Sequence, residues 1–437
     1  MVVAASGDRA MVPGTYWAWL GGTALSLVGV QAMAFAMAWA AAGQGARFAA
    51  LVPTAIVLPR VLLLLVGGAV ADRVGAWLVL IASNAAMIVV TVALAAAAWS
   101  TLDLRLPLLL TALAIGTVDA FQLPSSGSMP RRLVPPDVLA RAMSARQLAG
   151  QLALFAGPPL GGLLLGVAGL AGAALTNTAT FLAMLAALLV VRPAAERSPD
   201  ALKAGTNHGR SRDARTAGDG GTGSGSPASA AFDGLRLAWS VPVLRAALLV
   251  TGVVAGFLLP VGTLLVPLLA RQRGWSPSAA GAVVAAMAAG TAVVGVGVLL
   301  RGASRRPGMV AAVGLLVAAL GVIILAAGRT PSPAVLAGVL VGVGSGCFAT
   351  HVGPLVLAAT PLTHLARVQS VLVLVQSLPL LVTANAFGLV AEATDVAAVL
   401  YGCAGVLAVT GLTALAVPTL HRSSGSSAPA GVRRPNI

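Results

Sequence analysis

Twelve stretches of this chain are long and oily enough to cross a lipid bilayer, with almost no charge inside them. They run at about 17–41, 48–70, 76–99, 106–127, 143–167 and 169–191, then 243–270, 277–300, 308–328, 333–359, 367–391 and 395–419. A backbone in hydrocarbon must satisfy its own hydrogen bonds, which leaves helices or closed barrels. Barrel strands alternate apolar and polar residues, whereas these segments are apolar all round. Charged residues are 9% of the chain, against about 25% in a soluble domain that must wet its surface. The expected fold is an all-α membrane protein of twelve transmembrane helices, with lipid as its solvent.

The segment between the sixth and seventh stretches is Gly-, Ser- and charge-rich, with few large apolar residues. It reads as a disordered linker. The expected organisation is a six-helix bundle over 1–192, a linker over 193–235, a second six-helix bundle over 236–420 and a disordered tail over 421–437. The halves are of similar size, which suggests two pseudo-symmetric bundles.

The net charge of +15 does not indicate a nucleic-acid partner, because the charges sit in connections and aromatic residues make up only 4% of the chain. Topology explains them better. With both termini in the cytoplasm of a cell-membrane protein, twenty-one of the 27 Lys and Arg residues fall on the inner side. Five fall outside (Arg47, Arg105, Arg271, Arg273 and Arg329), and Arg60 is left within a span. Cys347 and Cys403 lie far apart in apolar runs, read as packing residues, and suggest neither a metal nor a disulfide.

The turn after the second span reads GGAVADRVGAW, Gly67 to Trp77. With Gly68, Asp72, Arg73 and Gly75 it resembles the loop motif of the major facilitator superfamily. Ala76 and Trp77 replace the usual basic pair. The resemblance implies twelve helices around a central cavity lined by spans one, four, seven and ten. It also implies that Asp72 meets a helix N-terminus of the other half and holds the cytoplasmic side closed, an arrangement favourable for a carboxylate. The stretch from Phe121 to Gly166, and LPRVLLLLVGG around Arg60, resemble the drug-antiporter branch typified by macrolide efflux and enterobactin exporters. There Gly157, Pro158, Gly161 and Gly162 match the fifth-helix antiporter signature, although small residues at this spacing also serve plain helix packing. The arginine that other antiporters carry in the fourth span is absent. Leu299 to Val310 keeps the glycines and basic residues of the loop motif without its acid, as a worn second copy would.

Asp119 is the one acid well inside a span, where a carboxylate costs on the order of 3 kcal/mol and needs a partner or a wet cavity. Arg60 lies at matching depth on the second span. The two are expected to interact, either as a permanent structural pair or as a proton-coupling site in which Arg60 tunes the hold of Asp119 on its proton. Gln122, His351, Gln376 and Asn385 are further candidates for a substrate cavity, a lone histidine being more often structural.

No P-loop appears, so energy is expected from a proton gradient, without cofactor or metal. No nucleophile motif, carboxylate pair or metal cluster points to an enzyme. The reading is a monomeric secondary transporter, embedded in the lipid bilayer, that exports a small amphipathic or hydrophobic molecule. A proton symporter or facilitator importing a nutrient, and a non-transporting sensor or scaffold, are the alternatives.

Overall fold

The structure is a computed structural model that describes residues 12–100, 103–191, 239–302, 304, 306–358, 360 and 365–416. The expected linker and tail lie outside the described residues. The first half holds α1 (Gly14–Ala42), α2 (Ala46–Val74), α3 (Ala76–Trp99), α4 (Arg105–Leu133) and the 52-residue α5 (Leu139–Val190). The second holds α6 (Pro242–Phe257), α7 (Val266–Gln272), α8 (Pro277–Arg301), α9 (Pro307–Ala327), α10 (Pro331–Ala358), α11 (Leu365–Ala393) and α12 (Val396–Ala416). No strand occurs among the described residues.

Eleven of these helical stretches are long and apolar enough to cross a membrane. The twelfth crossing is inside α5. At Gly169 the backbone takes φ 65° and ψ −167°, so one nominal helix is two arms, 139–168 and 170–190. Crossing seven is composite, since α6 passes through a π-helical turn, Val261–Leu265, into α7. The chain is therefore twelve crossings in two bundles of six. An even number of crossings puts both chain ends on one side, called the terminus end below.

The short connections show the internal repeat better than the sequence does. Gly75 closes α2 with φ 100° and ψ 131°. Gly302 closes α8, its counterpart in the second half, with φ 80° and ψ 167°. A Cβ is strained in that region of backbone space, so the worn second copy has kept the residue that makes the turn. Gly45 and Gly274, both at positive φ, repeat the relation in the turns after crossings one and seven.

Helix surfaces show which solvent this fold was built for. Leu62, Val89, Val293 and Val382 are each about two-thirds exposed or more, which is acceptable where lipid rather than water covers them. Inside, the packing divides unevenly. Tyr16, Trp19, Trp77, Leu80, Met129 and Leu188 form a core belonging to the first half alone, at its terminus end. A larger core joins residues 33–52 and 94–112 of the first half to residues throughout the second. The halves thus share a core at the end opposite the termini and separate toward the terminus end.

Candidate functional site

Two features stand close together, a mid-membrane ion pair within the first half and an apolar cavity between the halves. Arg60 and Asp119 are each the central residue of a 29-residue helix, and the Arg60 guanidinium Nη2 donates to the Asp119 carboxylate. Glycine brings them together. A Cβ on Gly116 would run into the Ile56 carbonyl and the Pro59 ring of α2, and one on Gly67 into the Ala120 carbonyl of α4. These crossings bracket the ion pair, so the backbones of α2 and α4 approach closely on either side of it. The pair remains accessible, with 34% of the Arg60 side chain and 26% of that of Asp119 exposed. Arg60 Nε is buried without a hydrogen-bond partner.

The cavity has a volume of about 500 Å³ and lies between the two bundles. Its wall is mostly Ala, Val, Leu, Met and Phe, with Gln31, Gln151, Thr263, Thr291 and Ser345 as its polar points. No charged side chain lines it. The π-turn of crossing seven contributes Gly262, Thr263 and Leu264; such local widening of a helix is frequent at functional sites. Ala49, Pro53 and Ile56 line the cavity from α2, and Arg60 continues that i, i+4, i+7, i+11 stripe by one turn. The ion pair therefore stands one helical turn from the cavity, toward the terminus end.

The expectation that spans one, four, seven and ten line the cavity needs correction. Crossings one, seven and ten do so, joined by two, five, eight and eleven, while α4 contributes no lining residue. The reason is the tilt of the bundles. With the halves meeting at one end, α2 packs against α11 and the first arm of α5 against α8, and these contacts become the side walls.

That meeting forms a seal at the end opposite the termini. The Arg271 guanidinium lies 4.4 Å from the Trp39 ring centroid and donates to the Trp39 carbonyl at 3.3 Å. Arg47 pairs with Glu392 at 2.9 Å, Asn385 Nδ2 donates to Thr54 Oγ1 at 2.8 Å, and Gly388 packs on Ala46 and Ala50. Arg47 and Glu392 are 63% and 47% exposed, so their pair contributes about 1 kcal/mol at most. Arg271 combines a cation–π contact with the negative end of α1. Arg271→Ala is therefore expected to open this end more than Glu392→Gln does. The check is labelling of a Ser345→Cys variant, in a background without Cys347 and Cys403, by an impermeant maleimide applied from the sealed side. Equal labelling of the two variants would contradict this ranking.

The other sequence-derived candidates separate by role. Gly157 and Gly161 seat α5 on Gln31 and Ala32 of α1, whereas Gly162 abuts Pro277 and Ser278 of α8 in the other half. Pro158 lines the cavity. Gly68 and Asp72 fall in the last two turns of α2, and their side chains lie outside the described residues; Arg73 is exposed. None of Gln122, His351, Gln376 and Asn385 lines this cavity. Asn385 belongs to the seal. His351 accepts from the Ser304 N–H at 3.4 Å through Nε2, while Nδ1 lies 3.0 Å from the Cys347 carbonyl, so it anchors the turn between α8 and α9. Gln376 is exposed on α11, and Gln122 sits one turn beyond Asp119 on α4. Sequence reading missed the cavity residues Thr263, Thr291 and Ser345, whose short hydroxyl side chains carry no signal among apolar neighbours. It also counted Arg146 only as part of the cytoplasmic positive charge, although the residue lies two turns inside α5.

Comparison with known proteins agrees with this architecture. The family model described as Major Facilitator Superfamily matches residues 19–384. No curated protein matches the chain. Among solved structures, a POT family transporter in complex with a thioalcohol-conjugated peptide superposes with a TM-score of 0.67 at 14% identity, covering 93% of this chain and 96% of that one. A bacterial homologue of the iron transporter ferroportin, in an inward-facing state, gives 0.67 at 18%, covering 92% and 98%. The nucleoside transporter NupG gives 0.66 at 12%, covering 92% and 99%. At these identities the likeness is one of fold.

Proposed function

The chain belongs to the Major Facilitator Superfamily, and from that premise we propose that it is a proton-coupled exporter of small amphipathic or hydrophobic molecules. The observation that carries the reading is a sizeable apolar cavity between two bundles, sealed at one end, with the Arg60–Asp119 ion pair next to its wall. An uncharged wall of Ala, Val, Leu, Met and Phe suits an apolar body, and the few hydroxyls and amides can orient it. The basic residues put the terminus end in the cytoplasm, so the seal faces outward and the described state is open inward. Alternation then requires the seal to part and the terminus ends to close, with Asp72 as the candidate inner gate. Asp119 takes up and releases the proton, and its contact with Arg60 changes with its charge. The likeness of Phe121–Gly166 to macrolide and enterobactin exporters supports the export direction and the drug-antiporter branch. A single chain suffices for this cycle.

The rival is proton-coupled import, and the sign of coupling separates the two. In proteoliposomes with the membrane potential clamped at zero, a lumen one pH unit more acidic than the bath drives antiport inward by about tenfold at one proton per substrate. Symport under the same gradient depletes the lumen. Ethidium and anilinonaphthalene sulfonate, amphipathic dyes of opposite charge, serve as probes. We expect accumulation of at least one of them. Depletion would make the protein a symporter.

A further inference from the structure

α4 carries a polar stripe that neither the seal nor the cavity uses. Asp119, Gln122 and Ser126 stand at i, i+3 and i+7 and so share one face of the helix. A guanidinium meets each end of the stripe. Arg60 of α2 takes Asp119, and Arg146 of α5 reaches Ser126, its Nη2 3.3 Å from the Ser126 hydroxyl oxygen. The two arginines are not equivalent. Arg60 has a carboxylate. Arg146 is in neither of the two ion pairs among the described residues, although it is partly buried two turns inside a membrane helix. A hydroxyl at 3.3 Å is a long, neutral contact for a group with five donors. The Tyr16 hydroxyl, from α1, spends its proton on the Ala142 carbonyl one turn earlier on α5. Arg146 is thus held at the meeting of α1, α4 and α5 by neutral groups, and no carboxylate pairs with it among the described residues.

Its position relative to the cavity gives that charge a use. Arg146 does not line the cavity; Gln151, which does, stands five residues further along α5, about 7.5 Å along the axis and about 140° around it, so a ligand would reach Arg146 beyond the terminus end of the cavity rather than through its wall. Arg146 lies on the side toward the terminus end, where the halves stand apart. An arginine in a membrane segment is retained where it meets an anion or a wet passage, and its planar fork matches a carboxylate, sulfonate or phosphate.

We infer that Arg146, steadied by Ser126, holds an acidic group of the transported molecule, so that the substrate class is amphipathic anions. The apolar body occupies the uncharged cavity, and the acidic head lies toward Arg146. This rests on the transport reading above and adds the charge of the substrate to it. The ionised Asp119 then repels the same head group from the far end of the stripe, and its protonation removes that repulsion.

The test uses two fluorescent probes with one body. Anilinonaphthalene sulfonate carries an acidic group, and N-phenyl-1-naphthylamine is the same frame without it. Saturable binding to the full chain in zwitterionic nanodiscs is measured against empty nanodiscs. Arg146→Gln is expected to weaken the sulfonate probe by about tenfold and to leave the neutral probe within about twofold. Arg146→Lys should retain most of the sulfonate binding, and Ser126→Ala should weaken it mildly. Retained neutral-probe binding shows that each variant is folded. Unchanged sulfonate binding in Arg146→Gln, or equal loss of both probes, would overturn the inference while leaving the cavity reading to its own test. No saturable binding of either probe to the unmodified protein would overturn both. Repeating the titration with phosphatidylglycerol in the nanodisc separates two sources of the same chemistry. Competition assigns the acidic group to a lipid head, and its absence assigns it to a soluble amphiphile; each supports the site.

Discussion

Asp119→Asn is expected to abolish proton-driven accumulation while leaving proton-independent exchange of substrate within about twofold of the unmodified protein. The amide mimics the protonated acid, so the site is fixed in one state and the roughly tenfold gain per pH unit falls to none. The same substitution leaves Arg60 without its counter-charge. Removing one partner of a fully buried pair costs about 3–5 kcal/mol. Here the side chains retain 34% and 26% exposure, so a smaller penalty, about 1–2 kcal/mol, is expected. Arg60→Gln alone should be the milder single change, because the carboxyl it leaves behind can take up a proton, whereas the guanidinium left by Asp119→Asn cannot lose one. The double variant Arg60→Gln with Asp119→Asn contains no charge at the site and should regain most of the lost thermal stability. That double variant decides between the two roles considered for the pair. A merely structural pair returns transport together with stability. A coupling site returns stability and leaves proton-driven transport absent. Recovery of driven transport in the double variant would remove Asp119 from coupling.

Gly161→Val and Gly162→Val should fail in different ways despite being adjacent. A Cβ on Gly161 runs into the Ala32 carbonyl of α1, within the same bundle. That contact has to persist through the cycle, so overpacking it should lower the thermal midpoint and expression, by about 1–3 kcal/mol of stability. A Cβ on Gly162 comes within 2.6 Å of the Pro277 carbonyl and 3.1 Å of Ser278 Cα, across the boundary between halves. Under the proposed cycle this contact parts when the seal opens. Gly162→Val should therefore leave stability nearly intact, disfavour the sealed state and raise labelling of the Ser345→Cys reporter from the sealed side. Transport should fall in both variants, but only the second should stay folded and open. If Gly162→Val instead melts like Gly161→Val, the boundary is a fixed packing face and the proposed opening at this end is wrong.

What the sequence by itself determined was the solvent, and through it the fold class. Stretches of twenty or more apolar residues admit helices and little else, so the number of crossings and the glycine-rich turns could be read directly. Arg60 and Asp119 stood out for the same reason, since an isolated charge in an apolar run is costly, and matched depth on crossings two and four made them candidates for each other. The tertiary structure alone decided where the empty space lies. A cavity is a property of how two bundles tilt, and the residues lining it are mostly Ala, Val and Leu that resemble any lipid-facing residue in one dimension. Hence Gln122, His351, Gln376 and Asn385, chosen because they were polar, are not in the wall of this cavity, while Thr263 and Ser345, which are, gave no signal. The kink at Gly169 and the split roles of Gly161 and Gly162 are decided the same way. Hydropathy records whether a segment prefers lipid to water, but when nearly every face is apolar it cannot say which one meets lipid, a neighbouring helix or the substrate path.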